Sequence, residues 1–209
     1  MTIDLSYPGI TPSKQGWGPG WKPPFPPSGG PRPASYPGEI VDLVVGGVAF
    51  PGGVRKEIHE LLELILKRVE KKGYKLHDGW CWGGAFRATK RSDGTFTTTP
   101  SNHSWYLAVD INAPENCFGC STHAVPMWVV RLFADYGFAW LGDDIKDWMH
   151  FQFAGSREDA ARMLKKARKN LGPKYTVAGT SFAKVGSALQ RARRIIEHGT
   201  VKKVTIKVT

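Results

Sequence analysis

The chain has 209 residues, 41% of them hydrophobic and 22% charged, which is the balance of a soluble globular protein long enough to bury a core. Its net charge is +11, yet residues 1–156 hold 15 basic and 15 acidic side chains, so residues 157–209, with 14 against 3, carry the whole excess. No stretch nears the ~20 apolar residues of a membrane span, and MTIDLSYPG lacks the basic start and apolar block of a secretory signal, which points to synthesis in the cytoplasm.

Residues 7–38 are rich in Pro, Gly and aromatics and should be irregular or extended, a wrapping arm or a linker. EIVDLVVGGVAF then reads as a short strand and turn. From Val54 to Lys72 the pattern places Ile58, Leu61, Leu62, Ile65 and Val69 on one helical face, and Gly73 ends the helix. His59 lies off that face among charges, as a surface histidine. GWCWGGAF, TFTTT, WYLAVDIN and DWMHFQF read as strand-like pieces, with a helix around VPMWVVRLFADYG before the last. SREDAARMLKKARKNLG reads as a helix capped by Ser156, Ala183 to His198 as another, and VKKVTIKVT as an alternating strand. Helices among short strands predict an α+β fold, a small and mostly antiparallel sheet flanked by helices. The predicted division is a Pro/Gly-rich arm (1–40), a central domain (41–156) and a basic helical appendage (157–209). The charge of the appendage reads equally as a solvated helix face and as attraction to a polyanion such as cell-wall polymer, nucleic acid or anionic lipid.

Three polar residues stand in apolar or aromatic surroundings: His103, Asp110 and His150. A carboxylate inside Tyr-Leu-Ala-Val-Asp-Ile is costly unless it is paired, hydrogen-bonded or bound to a metal. Two imidazoles and one carboxylate are the ligand set of a catalytic zinc, with a fourth position left to water. Asp147, three residues before His150, is a spare carboxylate able to take a proton. His103 would enter from the loop before a strand, Asp110 from within it and His150 from a neighbouring strand. Each alone reads as a satisfied structural group; together they read as a site. Cys117-Phe-Gly-Cys120, with His123 and Cys81, is a candidate second, structural zinc site of Cys3His type, although one CxxC is a weak pattern. An odd cysteine count argues against a disulfide framework.

Ser101-Asn102-His103, followed by Ala108 and Asp110, resembles the Ser-x-His-x(6)-Asp signature of the D-alanyl-D-alanine carboxypeptidase and VanY-like zinc peptidases. That group includes the L-alanyl-D-glutamate peptidases that phages use as endolysins. Asp147-Trp148-Met149-His150-Phe151 is similar to the second family motif, and Tyr136 to Trp140 looks like the approach to it, so the resemblance spans Gly79 to Phe153. It implies a hedgehog/D-Ala-D-Ala-peptidase-like fold with His103, Asp110 and His150 as zinc ligands and Asp147 as general base. Arg87 would bind or polarise the scissile carbonyl, and Ser101 would contact substrate or support a ligand. Two departures stand out: Tyr106 replaces the usual glycine, and Asp147 stands where the dipeptidases have glutamate.

The resemblance implies hydrolysis of a peptide bond in the stem or cross-bridge of bacterial peptidoglycan, as an endopeptidase or a carboxypeptidase. An endolysin of this kind would reach the wall through a separate pore or within a phage particle, its basic tail drawn to anionic wall polymers. Two other classes compete: a basic nucleic-acid-binding protein, and a non-catalytic wall-binding module with a structural zinc.

Overall fold

Helix α1 (Lys56–Lys71) buries Ile58, Leu61, Leu62, Ile65, Leu66 and Val69 along one stripe, the face that the sequence periodicity predicts. It stops where Gly73, at φ +97°, turns its N–H back to the Glu70 carbonyl. The computed structural model describes residues 12–91 and 93–172, all of which belong to one compact unit. The helix expected over Ala183 to His198 and the strand VKKVTIKVT lie outside the described residues.

Strands β1 (Ile40–Val45) and β2 (Val48–Arg55) form an antiparallel hairpin against α1, where the sequence suggested only one strand and a turn. Gly46 and Gly47 both have positive φ, as a tight hairpin turn of matching twist demands. A second hairpin, β3 (Ala88–Lys90) with β4 (Phe96–Pro100), follows. The central sheet has the order β5-β7-β6, all antiparallel, from β5 (Ala108–Asp110), β6 (Phe138–Leu141) and β7 (Asp147–Phe153). Its register sets Asp110 opposite His150. Helix α2 (Met127–Ala134) precedes β6, and the short α3 (Gly142–Ile145) joins β6 to β7. Helix α4 (Arg157–Asn170) starts in a capping box, with the Ser156 hydroxyl accepting from the Asp159 N–H and the Asp159 carboxylate accepting from the Ser156 N–H. Arg168 donates to Glu60 and ties α4 to α1. The architecture is thus the α+β mix that the pattern predicts. No helix among the described residues is long and apolar enough to cross a membrane.

GWCWGGAF forms no strand; only Trp82 pairs, by exchanging backbone hydrogen bonds of 3.0 and 2.9 Å with Asp110. The glycines explain the difference. A Cβ on Gly83 would run into the Gly53 carbonyl, so two backbones pack directly on each other here and leave no ladder to extend.

The Pro/Gly-rich stretch joins the core. Trp17 and Trp21 are 0% and 2% exposed. Arg55, fully buried, donates to the carbonyls of Trp17 and Trp105, and Trp105 Nε1 donates to the Gly18 carbonyl. The Trp21 N–H reaches the Ser104 hydroxyl and the Tyr36 hydroxyl reaches the Ser104 carbonyl. These bonds converge on one short turn, Asn102–Trp105, which carries His103.

Candidate metal centre

His103 lies in a 3-10 turn capped by Ser101, whose hydroxyl accepts from the His103 N–H at 3.3 Å. Ser101 thereby supports the backbone of the histidine, and it also lines the cleft beside it. The turn closes through Tyr106 in the left-handed conformation, φ 59° and ψ 31°. A glycine adopts that conformation without strain, which explains the related motif. Here the ring of Tyr106 is buried beside Tyr36 and Phe86, and this packing offsets a backbone cost of about 1–2 kcal/mol.

The sheet register brings three ligand atoms together. Nε2 of His103 lies 3.2 Å from Oδ1 of Asp110 and 3.0 Å from Nδ1 of His150, which is itself 3.1 Å from the same carboxylate oxygen. The outer nitrogens are already committed. His103 Nδ1–H donates to the Gly83 carbonyl at 2.7 Å, and His150 Nε2–H donates to Gln152 Oε1 at 3.1 Å. Each neutral imidazole therefore turns a lone pair inward, so three acceptors converge on one point with no donor among them. Such an arrangement calls for a cation, and the donor set fits zinc. Among the described residues, this is the group of His, Cys, Asp or Glu that could hold a metal ion.

The electrostatics agree. Burial acts to raise the Asp110 carboxyl, but the imidazoles of His103 and His150 outweigh it and hold it well below the usual carboxylate range. Burial alone would lower His150, yet the hydrogen bond and charge of the Asp110 carboxylate raise it above the usual imidazole value. Asp147, at the head of β7, is raised by burial foremost, with the Asp110 charge adding and the His150 charge opposing. Its Oδ1 is buried without a hydrogen-bond partner. An orphaned carboxylate oxygen beside a metal-ligand cluster is a candidate proton acceptor.

These groups face a cleft of about 490 Å³ that is also lined by residues of the β3–β4 hairpin and by Phe118, Ile145 and Asp147. Arg87 lines it, with Nη1 donating to the Ala88 carbonyl, and its charge reaches Asp147. The expected His103, Asp110, His150, Asp147, Arg87 and Ser101 thus share one cleft.

The four candidate ligands of a second zinc are not gathered. Cys117 and Cys120 form a disulfide, their Cα atoms 5.5 Å apart, so the expectation from the odd cysteine count is corrected: CxxC spacing brings the pair within bridging distance. Cys81 is buried, and its thiol points to the His77 carbonyl and Asn112 Oδ1. His123 donates to the Val125 carbonyl and stacks on Trp148. The CxxC loop does border the site: Phe118 pairs with Asp147 and the Gly119 N–H donates to the Lys146 carbonyl at 2.8 Å.

Sequence reasoning missed Gln152, which holds His150 while accepting from Asn102 Nδ2. A signal was present: in His-Phe-Gln-Phe, strand alternation puts Gln152 on the same face as His150.

A family model described as D-alanyl-D-alanine carboxypeptidase matches residues 95–153, a segment that contains His103, Asp110, Asp147 and His150. Comparison with curated proteins and with solved structures gives no match. The family match supports a peptidoglycan-related metallopeptidase.

Proposed function

We propose that this protein is a zinc-dependent peptidase of endolysin type, which hydrolyses a peptide bond in the stem or cross-bridge of bacterial peptidoglycan. The observation that carries this reading is the convergence of three acceptor atoms beside the unpartnered oxygen of Asp147. When bound, zinc supplies a Lewis acid and brings the pKa of a water toward about 7.

The protein's own residues supply the rest. His103, Asp110 and His150 hold the ion, and Gly83 and Gln152 fix the faces that the imidazoles present. Asp147 takes the proton from the attacking water and returns it to the leaving amine. Its raised pKa suits the first step, because a stronger base takes the proton from the water more readily. Arg87 directs its planar donors at the substrate carbonyl or at a neighbouring substrate carboxylate. The wall is reached through a separate pore or within a phage particle. The basic residues of 157–209 favour anionic wall polymers, an attraction that weakens as salt rises.

Mass spectrometry of digested peptidoglycan tests the reading. New amine ends are expected with zinc-loaded protein and not with chelated protein or the His103→Ala variant. A folded, zinc-loaded protein that leaves several wall types uncut would overturn it.

A further inference from the structure

The cleft continues past the ligand cluster. A second depression of about 290 Å³ opens beyond it, lined by Pro51, Trp82, Gly83, Gly84 and Ala113. It shares Arg87, His103, Asp110 and Met149 with the larger cavity. Two of the candidate ligands, His103 and Asp110, therefore border both depressions.

Sheet topology explains this arrangement. Strand β5 carries Asp110, with β7 and His150 along one edge. Trp82 takes the other edge through its two backbone hydrogen bonds to Asp110. The β7 flank opens toward the β3–β4 hairpin, and the Trp82 flank opens over the glycines. The two flanks differ chemically. The larger cavity adds Lys90, Arg91, Asp144 and Asp147. The smaller one has no charged residue of its own; Arg87 and the ligands His103 and Asp110 are those it shares.

Trp82 is the telling residue. Its side chain is 40% exposed although its backbone is pinned to a ligand strand. The neighbouring glycines cannot gain a side chain, since a Cβ on Gly84 would meet the Tyr106 ring and one on Gly83 the Gly53 carbonyl. The backbone beside the indole is thus packed tightly against Gly53 and Tyr106 and holds a fixed position. A rigidly mounted, exposed aromatic that lines a depression is a platform for an extended ligand.

We propose that this depression is a substrate subsite with Trp82 as its platform, and that the protein cuts an internal bond while gripping the peptide on both sides of it. The inference rests on the peptidase reading and deepens it: the activity is that of an endopeptidase, and the chain beyond the scissile bond occupies the Trp82 flank. An enzyme that trims one terminal residue needs a wall one residue past the bond. The larger cavity, at 490 Å³, lies within the ~300–1,000 Å³ that takes a drug-sized ligand, and the smaller adds room on the opposite flank.

The test uses the zinc-loaded full chain with intact peptidoglycan sacculi and with synthetic stem peptides, followed by mass identification of both fragments. Both products are expected to hold two residues or more. Peptides cut back to a single residue on either side of the bond should lose at least tenfold in kcat/KM. Trp82→Ala should lose about tenfold on the long peptides, mostly through KM, and under threefold on peptides already shortened on that flank. Circular dichroism and zinc content check the fold of the variant, and the product masses from the unaltered protein decide the matter if the variant does not fold. Release of single terminal residues alone would overturn the inference and leave the peptidase reading standing. Equal losses for Trp82→Ala on long and short peptides would overturn the platform. No cleavage of any substrate would remove both readings together.

Discussion

Replacing Asp147 by Asn should move activity and stability in opposite directions. The carboxylate is raised by burial first and by the Asp110 charge next, and its Oδ1 has no partner. A group whose folded-state pKa is raised destabilises the fold when it ionises, so its contribution is favourable below the ordinary Asp value and is lost as pH rises through the folded value. Asn has nearly the same shape and cannot ionise. An unsatisfied buried polar atom costs about 1–3 kcal/mol, and Asn still carries one amide oxygen, so a gain of about 1 kcal/mol is reasonable at neutral pH. For a chain of this size that is roughly 2–4 °C in Tm. The gain should vanish at acid pH, where both side chains are neutral. Activity should fall by about 10²–10⁴, the contribution of a positioned proton acceptor. Calorimetry in a chelating buffer, zinc content by atomic emission and peptidoglycan hydrolysis measure the three quantities. A lower Tm at neutral pH would refute the claim that the fold bears a cost for this carboxylate. Activity within tenfold of the parent would remove Asp147 from the chemistry.

Gln152→Ala frees the outer nitrogen of His150 and should weaken zinc binding by about 10–100-fold in competition against a chelating dye; unchanged affinity would remove Gln152 from the site. In zinc-free protein the raised His150 gives stability that is fully present below its ordinary value of 6.5 and is lost as pH rises through the folded value. Zinc needs the neutral imidazole, so the Tm gain from added zinc should grow over the same interval, and parallel curves with and without zinc would sink this account. Trp17→Ala should cost about 3–5 kcal/mol in chemical denaturation, because the ring is fully buried and its Nε1 donates to the Gly155 carbonyl. A loss under about 1 kcal/mol would show that the arm is not part of the core.

What was legible in the sequence follows from the range of the signals. Helix α1 declares itself because its apolar period, its charged outer face and Gly73 agree over 16 residues. The cluster of His103, Asp110 and His150, which could hold a metal ion, was legible because a polar group in an apolar strand is improbable without a partner. Strand β6 stayed hidden, since Phe138–Leu141 is too short and too uniformly apolar to show a period. GWCWGGAF looked like a strand from its aromatics, and the backbone packing of Gly83 on Gly53 that prevents it joins residues 30 positions apart. The cysteines misled for a similar reason. CxxC permits either a metal or a bridge, and the choice depends on where Cys81 points, which is toward Asn112 in the core.

The segment that matches the family model holds every candidate ligand but not what aims them. His103 presents Nε2 because the Gly83 carbonyl engages Nδ1, and Gly83 precedes the matched residues 95–153. The turn around His103 is held by Trp21 and Tyr36 through Ser104, and by Gly18 and Arg55 through Trp105. All of these but Arg55 come from the region whose composition suggested a wrapping arm or a linker, and they explain the burial of Trp17 and Trp21 in a stretch so rich in Pro and Gly. A ligand turn of four residues has few internal bonds and would sample many orientations alone. Fixing it before the metal arrives lowers the ordering cost of binding. Gly83, whose carbonyl orients the His103 ring, adjoins Trp82, so one short stretch positions both a candidate metal ligand and the flank that would receive substrate.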